Sequence, residues 1–183
     1  KQGALLGLAY DGDADRLIAV DEQGRIIDGD KLICICAKMM KEAGSLDDDI
    51  VTATVMSNLG FHKYMENMGC SVEVTSVGDR YVLESMLKTG SKIGGEQSGH
   101  IIFLNHTTTG DGILSSLQLV QAVIRSGKKP SELSDEIEIF PQVLRNAKVK
   151  NENKERFMED GDIKAAIEDV ERAVAGSGRL LIR

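Results

Sequence analysis

The sequence predicts an α/β fold in which helices layer a sheet, and three observations carry that prediction. Apolar, β-branched runs alternate with helix-length amphipathic runs between residues 50 and 88. The helical runs stop at glycines, Gly44, Gly69, Gly90 and Gly127. The chain of 183 residues is 42% apolar but only 4% aromatic, so a core of Leu, Ile, Val, Ala and Met is expected, large enough for a sheet covered by helices.

Taken in order, residues 4–9 and 17–20 read as short strands around an acidic loop, and 25–27 as a hairpin arm after the turn at Glu22-Gln23-Gly24. Asp28-Gly29-Asp30 offers capping carboxylates for a helix over 31–42. Residues 50–55 form a buried strand, Ser57-Asn58 caps a helix over 59–68, 71–75 alternates as a strand, and Gly78-Asp79 opens a helix over 80–88. Two short strands, 92–93 and 101–104, flank a glycine-rich polar loop. Gly110-Asp111-Gly112 starts a long helix over 113–125, with Asp111 as its cap. Pro130 to Ser134 is a helical turn in the most linker-like stretch, 127–135. Beyond it, 137–140 and 142–150 are expected to be extended, 163–174 an amphipathic helix and 179–182 a last strand. In α/β sheets the functional loops lie at the carboxyl ends of the strands, here 57–58 and 76–80.

Two stretches carry chemistry. The first is Asp11-Gly12-Asp13-Ala14-Asp15-Arg16. Two like charges about 4 Å apart repel by roughly 1 kcal/mol in water and about 4 kcal/mol near a protein surface. Three carboxylates at alternate positions in one short loop therefore call for a cation. An all-oxygen donor set selects a hard ion, Mg²⁺ or Ca²⁺. Arg16 beside them suits a phosphate. Two other readings compete. One is an EF-hand with Asp11, Asp13, Asp15 and Glu22 at positions one, three, five and twelve, although Arg16 stands where its turn glycine belongs. The other is a solvated acidic turn.

The second stretch is Gly94-Gly95-Glu96-Gln97-Ser98-Gly99-His100. Its glycines let backbone approach a ligand closely. Glu96, Ser98 and His100 alternate, so on an extended loop they would face one way and suit a sugar's vicinal hydroxyls. His100 could carry a proton or meet a phosphate. The bland alternative is a polar hairpin turn. Arg80, at a strand–helix junction, either binds phosphate or pairs with Asp79.

A formal charge of −7 argues against nucleic acid and against an anionic membrane surface, and no apolar run is long enough to span a bilayer. Cys34, Cys36 and Cys70 lie in apolar segments without zinc spacing, as buried free thiols in a reducing cytoplasm would. Both ends look cut, as in a piece of a longer protein.

Asp11 to Arg16 resembles the metal loop of the α-D-phosphohexomutases, and Gly95 to His100 resembles their sugar-binding loop. Val77-Gly78-Asp79-Arg80-Tyr81-Val82, Gln97 and Thr109-Gly110-Asp111-Gly112 point to the bacterial branch acting on glucosamine phosphates. The resemblance covers essentially the whole chain. It implies the end of the second of four domains in residues 1–27, a third, layered α-β-α domain with a mixed sheet in 28–135, and the start of the fourth in 136–183, stopping before that domain's phosphate loop. It further implies Mg²⁺ on Asp11, Asp13 and Asp15. Glu96, Ser98, His100 and Arg80 would lie around a phosphorylated amino sugar, and Arg16 and His100 among the catalytic residues. The reacting phosphoserine would lie outside this chain, with the protein's other domains as partners and a homodimer left open. The intact protein would interconvert glucosamine 6-phosphate and glucosamine 1-phosphate through a bisphosphate, in the cytoplasm, for UDP-N-acetylglucosamine and peptidoglycan, and this piece alone would be inactive. The alternatives are a phosphomannomutase or phosphoglucomutase, or a non-catalytic Ca²⁺- or sugar-binding module.

Overall fold

The computed structural model describes residues 3–154 and 156–182, which divide into two compact units, one through Phe140 and one from Pro141. The first unit carries two sheets. Three antiparallel strands, β1 (Leu6–Tyr10), β2 (Leu17–Asp21) and β3 (Ile26–Ile27), form a meander in that order. The four-stranded sheet contains β4 (Ile50–Thr54), β5 (Ser71–Thr75), β6 (Ile93–Gly95) and β7 (Ile101–Phe103), ordered β5-β4-β6-β7. In it β4 pairs parallel with β5 and β6, and β7 runs antiparallel to β6, so the sheet is mixed as expected.

The helices begin where the sequence offers caps. Asp28 accepts from the Lys31 N–H at 3.1 Å and starts α1 (Gly29–Glu42). Asn58 accepts from Gly60 N–H at 2.9 Å and starts α2 (Leu59–Asn67). Asp111 accepts from Leu114 N–H at 2.9 Å and starts α4 (Gly112–Ser126). Helix α3 (Asp79–Thr89) has no side-chain cap, and α5 (Pro130–Asp135) is a short turn with proline in its first turn. Left-handed glycines close α3 at Gly90 and α4 at Gly127.

The core lies between α1 and the strands. Ile33, Cys34, Val51, Ala53, Phe61, Met65, Ile93, Phe103 and Leu119 belong to one buried apolar cluster. Each large apolar side chain there contributes about 1.5–3 kcal/mol through removal from water. The three cysteines are buried free thiols, and burial pushes Cys36 up to about 12. No helix among the described residues is long and apolar enough to cross a membrane.

In the second unit the expected helix is present as α6 (Gly161–Val174), with Asp160 accepting from the N–H groups of Asp162 and Ile163. The strands expected over 137–140, 142–150 and 179–182 are not formed: those residues carry no ladder among the described residues. An apolar, β-branched run becomes a strand only where a neighbour takes up its N–H and C=O groups. Ile137 is instead buried in the first unit's core, and the backbone of Phe140 is held by Asn58.

Candidate metal and sugar site

The β1–β2 connection is a tight turn. Ala14 N–H donates to Asp11 O at 3.3 Å, and Ala14 adopts φ +59°, an unusual value for a residue other than glycine. The turn gathers one carboxylate oxygen each from Asp11, Asp13 and Asp15 within 4.8 Å of one another. Three carboxylate oxygens at this spacing are an all-oxygen donor set of the kind Mg²⁺ takes. Burial, followed by the hydrogen bond and charge of Asp11 and the charge of Asp13, raises the Asp15 carboxyl above its usual range, against a weaker lowering by His100. Asp15 Oδ1 is a buried oxygen that accepts no hydrogen bond. A crowded, under-satisfied acidic cluster of this kind fits a divalent cation.

Glu22 decides the EF-hand alternative. Its carboxylate accepts from Ser131 Oγ, and from Ser131 N–H at 3.2 Å, at the start of α5. These bonds lower its pKa. Residues 17–21 are strand, so no twelve-residue calcium loop forms.

The two sequence-identified loops touch. Arg16 and His100 form an isolated antiparallel bridge, and Leu17 N–H donates to Gly99 O at 3.1 Å. A Cβ on Gly99, whose φ is +94°, would lie 2.1 Å from Leu17 O. His100 is 4% exposed; its Nε2 stands 3.7 Å from Asp15 Oδ2 and accepts from Gly110 N–H at 3.2 Å. In the neutral ring the proton therefore sits on Nδ1, a buried atom without a hydrogen-bond partner. The Arg16 Nε lies 3.8 Å from Asp11 and 3.9 Å from Asp15. The amino end of α4 closes on the same turn, with Gly112 N–H donating to Ala14 O at 2.8 Å and Tyr10 OH donating to Ser116 Oγ at 2.9 Å.

The 94–100 loop is a turn, with Gly99 N–H donating to Glu96 O at 3.0 Å, and this corrects the extended-loop expectation. Glu96 and Ser98 do meet, Ser98 Oγ lying 3.3 Å from Glu96 Oε2, whereas His100 is buried against Gly110 and Asp15. The other Glu96 oxygen accepts from Gly78 N–H at 2.9 Å, which ties the amino end of α3 to this loop. Gln97 does the same for α1: its carbonyl accepts from Gly29 N–H at 3.0 Å. A Cβ on Gly29 would fall 2.0 Å from Glu96 O, so the close approach requires glycine. The Arg80 guanidinium pairs with Glu84 one helical turn on, at 2.7 Å, and is highly exposed, while its backbone N–H donates to Asp79 Oδ1 at 2.8 Å. Gly78, Gly110 and Gly112, read from the sequence as helix starts, also hold the site: their N–H groups donate to Glu96, His100 and Ala14.

The profile of phosphoglucomutase/phosphomannomutase alpha/beta/alpha domain III matches residues 28–140. The chain is 57% identical over 178 residues to the phosphoglucosamine mutase of Caldanaerobacter subterraneus subsp. tengcongensis, covering 97% of this chain and 40% of that protein. It is 55% identical over 183 residues to that of Thermoanaerobacter sp. (strain X514), covering 100% and 41%. The chain thus spans about 40% of the length of the curated relatives it matches. Among solved structures, an N-acetylglucosamine-phosphate mutase of the alpha-D-phosphohexomutase superfamily in its apo form superposes with a TM-score of 0.69 at 22% identity, over 90% of this chain and 40% of that one. Aspergillus fumigatus N-acetylphosphoglucosamine mutase, in complex with GlcNAc-6P and magnesium, gives 0.61 at 22% identity, over 77% and 35%. At that identity the two structures show the shared fold. The family is shown by the profile match to residues 28–140, more than half of the chain: the chain belongs to the phosphoglucomutase/phosphomannomutase family and carries its α/β/α domain III.

Proposed function

We propose that this chain is the metal- and sugar-binding part of a cytoplasmic phosphoglucosamine mutase, which interconverts glucosamine 6-phosphate and glucosamine 1-phosphate on the route to UDP-N-acetylglucosamine and peptidoglycan. The observation that carries the proposal is the joining of the two loops: three converging aspartates lie one bridge, Arg16–His100, from a Glu–Ser pair. Identity of more than half to curated phosphoglucosamine mutases favours glucosamine over mannose or glucose phosphates.

Asp11, Asp13 and Asp15 would hold Mg²⁺, which supplies charge neutralisation for a transferring phosphoryl group. Glu96 accepts from a sugar hydroxyl through the oxygen that also meets Ser98, its other oxygen being fixed by Gly78. Ser98, exposed at the turn, donates to or accepts from the neighbouring hydroxyl. Arg16 meets the phosphate beside the aspartates, and Arg80, exposed at the start of α3, can swing from Glu84 to a substrate phosphate. His100 is held by Gly110 and faces Asp15, which fixes the metal loop against the sugar loop. In the transfer, the bond from phosphorus to a serine oxygen of the remaining domains breaks, a bond from phosphorus to the substrate hydroxyl oxygen forms, and the hydroxyl proton passes on balance to the released serine oxygen. The bisphosphate then returns its other phosphate to the serine. Residues 1–27 belong in this reading to the preceding domain, 28–135 to domain III and 136–183 to the following one.

The test is an assay of the intact mutase encoded with this segment, wild type and Glu96→Gln, on glucosamine, mannose and glucose phosphates. Turnover is expected to favour glucosamine phosphates and to fall by at least tenfold in the variant, while the 183-residue chain alone shows none. A preference for mannose or glucose phosphates would overturn the assignment. So would tight Ca²⁺ binding by this chain with no response to Mg²⁺, which belongs to a calcium module.

A further inference from the structure

A cleft lies at the end of the first unit away from the metal and sugar loops. The 96–100 turn follows β6, whereas Lys92 precedes that strand and Phe103 pairs with Ile93 at the strand's amino end. Here a cleft of about 450 Å³, within the roughly 300–1,000 Å³ of small-molecule sites, opens between the carboxyl-terminal halves of α1 and α4. Its floor is apolar, with Met39 and Phe103 almost fully buried. Its rim carries Lys92, His106 and Arg125, and no acidic residue lines it. Arg125 has no ion-pair partner among the described residues, Lys92 pairs at 3.2 Å with Asp47, which does not line the cleft, and the His106 ring lies 3.5 Å from the Gln118 side chain. For a chain of net charge −7, two cations, Lys92 and Arg125, around an apolar floor with no acidic residue in the lining stand out.

We propose that this cleft binds a small organic anion, a phosphate or carboxylate head on the Lys92–Arg125 rim with an apolar body on Met39 and Phe103. The cleft is distinct from the metal and sugar loops, and both helices that form it reach them. The far end of α1 donates from Gly29 to Gln97 in the sugar loop, and the far end of α4 donates from Gly112 to Ala14 in the metal loop. A ligand that spreads or draws together the carboxyl ends of α1 and α4 therefore acts on both loops through rigid elements.

Amide NMR of the 183-residue chain titrated with phenyl phosphate tests the site, with inorganic phosphate and benzyl alcohol as half-ligands. Phenyl phosphate is expected to shift residues 92, 103–106 and 118–125 in a saturable manner, at least fivefold tighter than either half-ligand. Arg125→Gln is expected to weaken it at least fivefold, and Lys92→Gln, on the same rim, likewise. Smaller shifts should extend to Gly29, Gln97 and Ala14. Shifts confined to residues 11–16 and 94–100, equal binding of inorganic phosphate, or binding unchanged in both variants would overturn the proposal. The titration is run without Mg²⁺, so metal binding by the aspartate loop stands or falls separately.

Discussion

Substituting Gly99 by alanine tests the contact that joins the two candidate loops. Two costs add. At φ +94° an alanine is strained by about 1–3 kcal/mol. Its Cβ would also stand 2.1 Å from the carbonyl oxygen of Leu17, whose strand β2 is paired on both sides and cannot give way cheaply. Overpacking of this kind costs about 1–3 kcal/mol. Gly24→Ala is the matched control, with φ +84° and nothing within 4 Å of the added carbon, so it carries the first cost alone. The difference between the two variants, about 1–3 kcal/mol, isolates the contact between the loops. For a chain of this size, each kcal/mol lowers Tm by about 2–4 °C, so Gly99→Ala should melt about 2–12 °C below Gly24→Ala in scanning calorimetry. Because the same clash forces Arg16 away from His100, Mg²⁺ binding should weaken in Gly99→Ala and not in Gly24→Ala. Equal melting temperatures with equal Mg²⁺ affinity would refute the claim that the loops form one unit.

Asn58→Ala should cost about 2–4 kcal/mol by urea unfolding, more than a simple cap, because Asn58 also accepts from and donates to the Phe140 backbone, each at 2.9 Å. Asp15→Asn should stabilise the metal-free chain at neutral pH and abolish its Mg²⁺ response. The raised Asp15 carboxyl means that folded stability falls as pH rises from about its ordinary 3.8 through the raised value, and melting in EDTA across that range should lose this fall in the variant. Asp21 has the opposite sign. Burial would raise its carboxyl, but hydrogen bonds from the Arg25 backbone and side chain outweigh that and lower it. Its contribution is therefore present above pH 3.8 and lost on acidification through the lowered value, and Asp21→Asn should flatten the acid limb of the melting profile.

Much of this was legible in local pattern. The caps Asp28, Asn58 and Asp111, the glycine stops and the alternate aspartates are all short-range signals, and each appears where its chemistry requires. The bond from Arg80 to Glu84 was also readable as an i,i+4 pair, yet the adjacent Asp79 obscured it. What local pattern does not hold is pairing across the chain. Nothing in residues 16 and 100 says that they bridge, nor in Glu22 that it faces Ser131. The tail misled for a related reason: residues 142–150 and 179–182 have strand-like composition, but composition supplies no neighbouring edge.

The bridge between Arg16 and His100, closed by Gly110 behind the imidazole and Gly112 beneath Ala14, has a practical consequence for engineering. A designer who wishes to change sugar preference by transplanting the Glu96–Ser98 segment alone would sever its anchor and disturb the aspartates with it. Residues 10–17, 94–101 and 110–112 form one cassette, and a graft that moves all three together should retain metal affinity where a single-loop swap loses it.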